Sequence, residues 1–316
     1  MRVLVTGGAG FIGSTLVERL LAEDCEVDVV DDLSSGSLPN LAEARARRVP
    51  RCTFQRLDVR EKGIVELMTH RKPEVVFHLA AQASVTVSVA DPTFDADVNV
   101  LGSLNVLQGA LAAGCRKVVF AGSGGTLYGV PGKIPTTEGH AQHPISPYGV
   151  SKKAVGDYLH YYRAVHDLEY TVLALANVYG PRQDPHGEAG VVAIFANTLL
   201  SGQRPPIFGD GKQTRDFVFV DDVADAFARA AHKGGGLIVN IGTGVETSVH
   251  ELYDLMAGAV GFEQPARSEP PRAGELRRSA LDPGRAAIQL GWQPWTPLRD
   301  GVAATIAWFR EARSAG

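Results

Sequence analysis

Tyr148 and Lys152 stand four residues apart in "SPYGVSKKAVGDYL" (146 to 159), a stretch whose pattern opens a helix. At i and i+4 their side chains leave one helix face a turn apart. A phenol beside a fixed ammonium has its pKa lowered, which suits it to move a proton near neutral pH. Spacing alone does not assign that role, because Y-x-x-x-K on a helix surface is commonly a solvated contact. Position adds weight. Just upstream an apolar run ends in "FAGSGGTLYG" (120 to 129), where glycines surround one serine, Ser123. A serine at the carboxyl end of a strand, followed by that helix, brings hydroxyl, phenol and ammonium within reach of one another.

The N-terminus supplies what such a trio would serve. "VTGGAGFIG" (5 to 13) lies between a strand pattern and a helix pattern. Gly8, Gly10 and Gly13 satisfy G-x-G-x-x-G, and Gly7, Gly10 and Gly13 satisfy G-x-x-G-x-x-G. These glycines permit a tight turn, close approach of backbone to a pyrophosphate and close helix-on-strand packing, with phosphates at the helix N-terminus. Asp31 ends the second strand pattern 18 residues after Gly13, as a carboxylate that binds the adenosine ribose hydroxyls would. Asp32 adjoins it and no arginine follows in "DDLSSGS", so a 2′-phosphate is repelled and NAD rather than NADP is expected. "LDVR" (57 to 60) ends the third strand and would place Asp58 near the adenine, although a strand-end Asp is often only a helix cap. A nicotinamide cation near Tyr148 would lower its pKa further.

These groups need a scaffold, and the chain alternates accordingly. "RVLVTG" (2 to 7), "EVDVVDD" (26 to 32), "CTFQRLDV" (52 to 59), "EVVFHLAA" (74 to 81), "KVVFAG" (117 to 122) and "YTVLALANVYG" (170 to 180) read as strands. Helical patterns such as "GSTLVERLLAE" (13 to 23) and "NVLGSLNVLQGALAAG" (99 to 114) separate them. The rhythm predicts a doubly wound parallel α/β sheet of the Rossmann type, with ligands at the carboxyl ends of its strands. After about residue 176 the pattern turns loop-rich, with "GPRQDPHGEAG" (180 to 190) and a final amphipathic "PLRDGVAATIAWFREA" (297 to 312). The expected organisation is a cofactor domain over 1–176, rejoined by roughly 216–243. A smaller C-terminal substrate-binding lobe takes 177–215 and 244–316.

Composition bounds the partners. The 316 residues are 45% apolar and 21% charged, ordinary for a soluble globular protein. A net charge of -4 gives no global attraction for nucleic acid or anionic membrane, and "ARARR" (44 to 48) reads as a solvated helix face. Cys25, Cys52 and Cys115 are odd in number and lack CxxC spacing, which argues for a reducing compartment and against zinc or a disulfide framework. His78, His143, His160, His166 and His186 are scattered without metal-ligand spacing, so core packing or surface is expected for each and no metal. No signal-like segment or run of about eighteen apolar residues occurs, and a cytoplasmic location is expected.

Taken together, these residues resemble the extended short-chain dehydrogenase/reductase family, in its NAD-dependent epimerase/dehydratase branch, and are similar within it to the UDP-glucose 4-epimerases. The resemblance runs through nearly the whole chain: "VTGGAGFIGS", "VVDDLSSG", "LDVR", "VFHLAAQASV", "DVNVLGSLNVL", "SGGTLYG", "SPYGVSKKAVGDYL", "ANVYGPRQDP", "FGDGKQTRDFVFVDDVADA", "NIGTG" and "PPRAGELRRSALD". It implies NAD-dependent 4-epimerisation of a UDP-hexose through a transient 4-keto sugar. It also implies a homodimer paired through helices near 99 to 114 and 148 to 164.

Residue by residue, the resemblance implies Ser123, Tyr148 and Lys152 as the catalytic trio. Tyr148 would take the proton of the sugar 4-hydroxyl, Ser123 would hydrogen-bond the same oxygen, and Lys152 would hold the nicotinamide ribose. Alignment from Phe120 selects Ser123, counting back from Tyr128 reaches Gly124, and Thr126 stands as the alternative hydroxyl. Cofactor contacts are implied for Gly7, Gly10, Phe11, Ile12 and Gly13, for Asp31, Asp32 and Ser35, and for Asp58 and Val59. Leu79, Ala80, Ala81, Gln82 and Asn99 would lie along the rest of the dinucleotide. On the substrate side it implies Ser84, Ser123, Thr126, Tyr148, Asn177 and Val191. Arg215 and Arg272 would grip the diphosphate, a use that suits a guanidinium fork, and Glu275 would take the uridine ribose.

Departures from the family pattern narrow the reaction. Sugar-nucleotide dehydratases and decarboxylases carry carboxylates directly after the hydroxyl, where this chain has Gly124 and Gly125. Ser279 stands where some relatives have a bulky tyrosine, leaving room for UDP-N-acetylglucosamine. Arg277 and Arg278 would suit the carboxylate of UDP-glucuronate, and read equally well as surface charges. A non-catalytic NAD-sensing regulator on this fold is the alternative outside enzymes; such proteins usually lack the Tyr/Lys pair.

Overall fold

The computed structural model describes residues 1–47, 49, 51–186, 190–271 and 276–314. Strands form where apolar residues run without alternation. In β1 (Arg2–Thr6), Val3 to Thr6 are fully buried because helices cover both faces. The same holds through β2 (Glu26–Asp31), β3 (Cys52–Arg56), β4 (Val75–His78), β5 (Lys117–Ser123) and β6 (Glu169–Leu175), with burial thinning at the edge strand β3. Short strands follow: β7 (Asn177–Tyr179), β8 (Pro206–Phe208), β9 (Thr214–Arg215) and β10 (Phe217–Phe219). β11 (Leu237–Ile241) returns to the main sheet before β12 (Thr247–Ser248) and β13 (Arg267–Glu269). The sheet has seven parallel strands in the order β11-β6-β5-β4-β1-β2-β3. The Rossmann expectation is met.

Helices α1 (Phe11–Ala22), α2 (Ala42–Ala46), α3 (Gly63–Arg71), α4 (Val85–Ala90), α5 (Pro92–Ala96) and α6 (Gly102–Ala113) connect the first five strands. A single π-helical turn, Asp97–Leu101, joins α5 to α6. The short α7 (Gly124–Leu127) follows β5, and α8 (Pro147–His166) is the long crossover to β6. Its start is well specified: Ser146 accepts from Gly149 N at 3.2 Å, and Pro147 occupies the first turn. Later come α9 (Val191–Leu200), α10 (Val220–Ala230), α11 (Val249–Val260), α12 (Gly284–Leu290) and α13 (Leu298–Ser314).

The sheet divides two cores. One holds Leu16, Leu20, Phe77, Phe227 and Trp292 beneath α1 and α10; the other holds Met68, Leu107, Phe120 and Leu159 beneath α3, α6 and α8. A third core, with Phe195, Leu252, Met256, Ile306 and Phe309, knits α9, α11 and α13 into the smaller lobe. The expected strand at 170 to 180 divides at Ala176: β6 stays in the sheet, while β7 leaves it to pair with β10. Strand order reverses between β4 and β1, which opens a crevice at their carboxyl ends. No helix among the described residues is long and apolar enough to cross a membrane.

Candidate active site

The crevice is floored by backbone. Gly7 follows β1 at φ +69, and a Cβ there would lie 2.7 Å from Ala80 N on the neighbouring loop. A Cβ on Gly13 would come within 2.0 Å of Gly7 O. The turn therefore folds only with glycine at both positions, and it leaves a bare cradle where a side chain would intrude. Gly10 caps α1 without any side-chain hydrogen bond, so the first N–H groups of the helix, at Phe11 and Ile12, lack intrahelical partners, the arrangement that suits an anion. At the end of β2 the buried Asp31 carboxylate accepts from Ala9 N and Leu33 N, each at 2.9 Å. Burial raises its pKa and these N–H donors oppose the rise. These features fit a dinucleotide: a side-chain-free turn for pyrophosphate and a fixed acceptor for ribose.

Other expected cofactor residues are placed in varied ways. Asp32 accepts from Ser34 N at 2.9 Å and Ser34 Oγ at 2.7 Å, closing the loop that carries the exposed Ser35. Asp58 is held by Arg60, whose guanidinium also reaches Asp97 at 3.0 Å and lies over the Phe94 ring; that hydrogen bonding keeps the Asp58 carboxyl below its usual range. Val59 packs beneath Gly102. Leu79 and Ala80 bind back to Thr6, through its carbonyl at 3.1 Å and its hydroxyl at 3.2 Å, and Ala81 follows them. Asn99 spends its amide on Gln82, accepting from Gln82 N and donating to Gln82 O, both at 2.9 Å. Ser84 caps α4, accepting from Val87 N at 3.0 Å. Asn99, Gln82 and Ser84 thus fix backbone.

Burial lowers the His78 pKa to about 3, with the Lys152 charge adding to the effect, and its ring is neutral. Its Nδ1 is 2.7 Å from Thr6 Oγ1 and its Nε2 is 2.8 Å from Ser103 Oγ. Since Ser103 gives its proton to Asn99 O, His78 carries its own on Nε2. Core packing, expected for His78, is what it has.

Ser123, Tyr148 and Lys152 converge at the end of β5. The Tyr148 phenol lies beside Ser123, whose hydroxyl acts to lower the phenol pKa. Lys152 Nζ donates to Ala121 O at 3.0 Å, lies 4.7 Å from the Phe120 ring centroid and 5.7 Å from that of Tyr148. Thr126 instead turns its hydroxyl to Ser123 O, at 3.4 Å. One expectation is corrected here. The phenol pKa is pushed up, to about 12, because burial outweighs the effect of Ser123. The same burial pushes the Lys152 ammonium down to about 8. Behind the trio, a cavity of about 200 Å³ separates α8 from the sheet. A Cβ on Gly124 would strike the Leu281 side chain at 2.3 Å, whereas one on Gly125 would meet nothing within 4 Å.

The second lobe approaches from above. Asn177 begins β7 and is exposed, and Val191 begins α9. Arg215 Nη1 donates to Thr214 O and Leu276 O, at 2.8 and 2.9 Å. Arg272 and Glu275 lie outside the described residues. Arg277 is bidentate to Asp210, at 2.7 Å on each oxygen, and Arg278 pairs with Glu246. Both guanidinium groups are exposed and tie the 276–281 segment to its neighbours as surface ion pairs. Among the buried carboxylates that sequence reasoning missed, two bear on the site. Asp216 accepts from Thr243 N, Thr243 Oγ1, Gly244 N and Leu281 N, tying that segment to the loop after β11. Asp95 is wholly buried beside α8. A polar stripe at Asp95, Asn99 and Ser103, four apart within apolar sequence, was the available signal.

Comparison with known proteins agrees with this geometry. Residues 3–242 match the model of the NAD dependent epimerase/dehydratase family. The chain is 54% identical over 311 residues to a UDP-glucose 4-epimerase of Mycolicibacterium smegmatis, covering 98% of this chain and 99% of that one. It superposes on the UDP-glucose 4-epimerase of Thermotoga maritima, solved with UDP-glucose, with a TM-score of 0.95 at 44% identity over 99% of this chain and 100% of that one. The Thermus thermophilus UDP-glucose 4-epimerase, solved with NAD, gives a TM-score of 0.92 at 43% identity, with the same coverage.

Proposed function

The chain belongs to the NAD dependent epimerase/dehydratase family, and from that premise we propose that it is an enzyme that interconverts UDP-glucose and UDP-galactose at C4. NAD is its cofactor: the glycine turn, Asp31 and Lys152 would hold it, and it would supply reversible hydride transfer at C4 of the sugar. The observation that carries the reading is the convergence of Ser123, Tyr148 and Lys152 at the crevice, with bare glycine where an eliminating enzyme needs carboxylates.

Each residue then has a task. Tyr148 receives the proton of the 4-hydroxyl and gives it back when the 4-keto sugar, turned over in the pocket, is reduced. Ser123 holds the same oxygen in line. Lys152, already aimed at the crevice edge by Ala121 O, binds the nicotinamide ribose and favours the phenolate by its charge. Asp31 anchors the adenosine ribose. Asn177, Val191 and Arg215 receive the UDP moiety, with Arg272 and Glu275 assigned to it by sequence. Ser279 is small and half-buried, which favours acceptance of UDP-N-acetylglucosamine as a second substrate. The protein works as a cytoplasmic homodimer in this reading. The π turn and α6 expose Leu101 and Leu111, and α8 exposes Val150, Tyr158, Tyr161 and Val165 in one stripe suited to a four-helix contact.

The test is a substrate panel without added cofactor: UDP-glucose, UDP-N-acetylglucosamine, UDP-glucuronate and UDP-xylose. The first two should form their 4-epimers, with UDP-glucuronate poor, and Tyr148→Phe should lower turnover by roughly 10²-fold or more. Protein that carries NAD yet leaves every UDP-sugar unchanged would refute the reading.

A further inference from the structure

Asp95 lies on α5, shows no solvent exposure, and belongs to no motif used so far. Its carboxylate accepts from three directions. Oδ1 takes Nε2 of Gln82, on the loop after β4, and Nδ2 of Asn99, on the π turn, each at 3.0 Å. Oδ2 takes the Ser151 hydroxyl of α8 at 2.6 Å, and Ser151 directly precedes Lys152. A second tie runs parallel: Ser88 of α4 donates to Val85 O and accepts from Tyr148 N at 3.2 Å. The loop that borders the cofactor crevice and the helix that carries phenol and ammonium are therefore fastened to each other through one buried anion.

A buried carboxylate without a cation is costly. Among the described residues Lys152 has no carboxylate at ion-pair distance, and Asp95 is the anion whose charge supports its ammonium. The other titratable groups facing Lys152 are neutral His78 from β4, Tyr148 one turn earlier, and Lys153, Asp157, His160 and Tyr170 around the cavity behind it. α4, α6 and α7 present none.

We propose that Asp95 is a positioning residue for proton transfer: it locks α8 to the loop after β4 and supplies the counter-charge that keeps the Lys152 ammonium protonated. The inference rests on the epimerase reading for its kinetic arm only. Asp95 also raises the Tyr148 phenol, so removing its charge moves both groups the same way.

Two variants separate charge from position. Asp95→Asn keeps size and most hydrogen bonds while removing the charge. Assayed as holoenzyme with UDP-glucose, it should shift both limbs of the pH–rate profile about one unit acidward. Its kcat should fall about tenfold with KM within about twofold. In the protein without substrate, the ultraviolet tyrosinate band assigned by subtracting Tyr148→Phe should titrate at correspondingly lower pH. Ser151→Ala keeps the charge and cuts the tie to α8; kcat should fall severalfold with the limbs and the tyrosinate midpoint in place. Asp95→Asn with unmoved limbs and an unmoved midpoint overturns the counter-charge role. Ser151→Ala with undiminished kcat overturns the positioning role, even if Asp95→Asn does not fold. A wild type that turns over no UDP-sugar sinks the epimerase reading, while the tyrosinate arm still decides on Asp95.

Discussion

Burial acts on Tyr148 and Lys152 in opposite directions, up to about 12 and down to about 8, and in both it favours the uncharged form. A site that must hold charge while it works is therefore held against its own stability. The sign for Lys152 is definite. Its folded pKa lies below its ordinary 10.5, so the full penalty of burying the cation is present at pH 7 and is relieved as pH rises from about 8 to 10.5. The depression from 10.5 to about 8 corresponds to roughly 3 to 4 kcal/mol at about 1.4 kcal/mol per pH unit. Losing the hydrogen bond to Ala121 O returns about 1 kcal/mol of that. Lys152→Met should thus be inactive yet more stable by about 2 kcal/mol in urea unfolding at pH 7, at matched NAD content. That advantage should shrink between pH 8 and 10. A variant less stable than wild type at pH 7 would contradict the balance drawn here. The pair itself was legible as i and i+4. Its environment was not, because burial and Asp95 come from residues far along the chain.

Among the elements, those made of local pattern were read most easily. β1, α1 and the turn between them follow from an apolar run, glycines at fixed offsets and a helical period, all within about twenty residues. What escaped depends on distant partners. β7 is three residues long and exists as a strand because β10 pairs with it, and the π turn at Asp97–Leu101 has no sequence signature. α8 has two unlike faces: Lys152 is buried on one, while Val150, Tyr158, Tyr161 and Val165 are exposed on another. If that stripe pairs two copies, Tyr161→Glu with Val165→Glu should convert a dimer to a monomer in sedimentation, since like charges would meet across a two-fold axis. A wild type that sediments as a monomer at micromolar concentration would dismiss the pairing.

The molecule as a whole sets a seven-stranded parallel sheet against a separate core built by α9, α11 and α13, and the proposed site lies between them. Segments from both sides close the site: Gly124 abuts Leu281, and Asp216 binds Thr243, Gly244 and Leu281 together. This closure explains why the choice of sugar was less legible than the choice of reaction. In the proposed reading the reaction depends on a trio and on two glycines, all within 123 to 152, and the sugar on loops such as 276–281, whose course only the folded chain reveals. Arg277 and Arg278 illustrate the point, since their sequence left a ligand and a surface charge equally open and the fold gives them Asp210 and Glu246. The central claim is that one hydrogen leaves C4 and returns to C4 without meeting solvent. UDP-glucose bearing deuterium on C4 tests it directly: the account predicts UDP-galactose with deuterium retained on C4 in ordinary water. Product that has lost the label to solvent would contradict it.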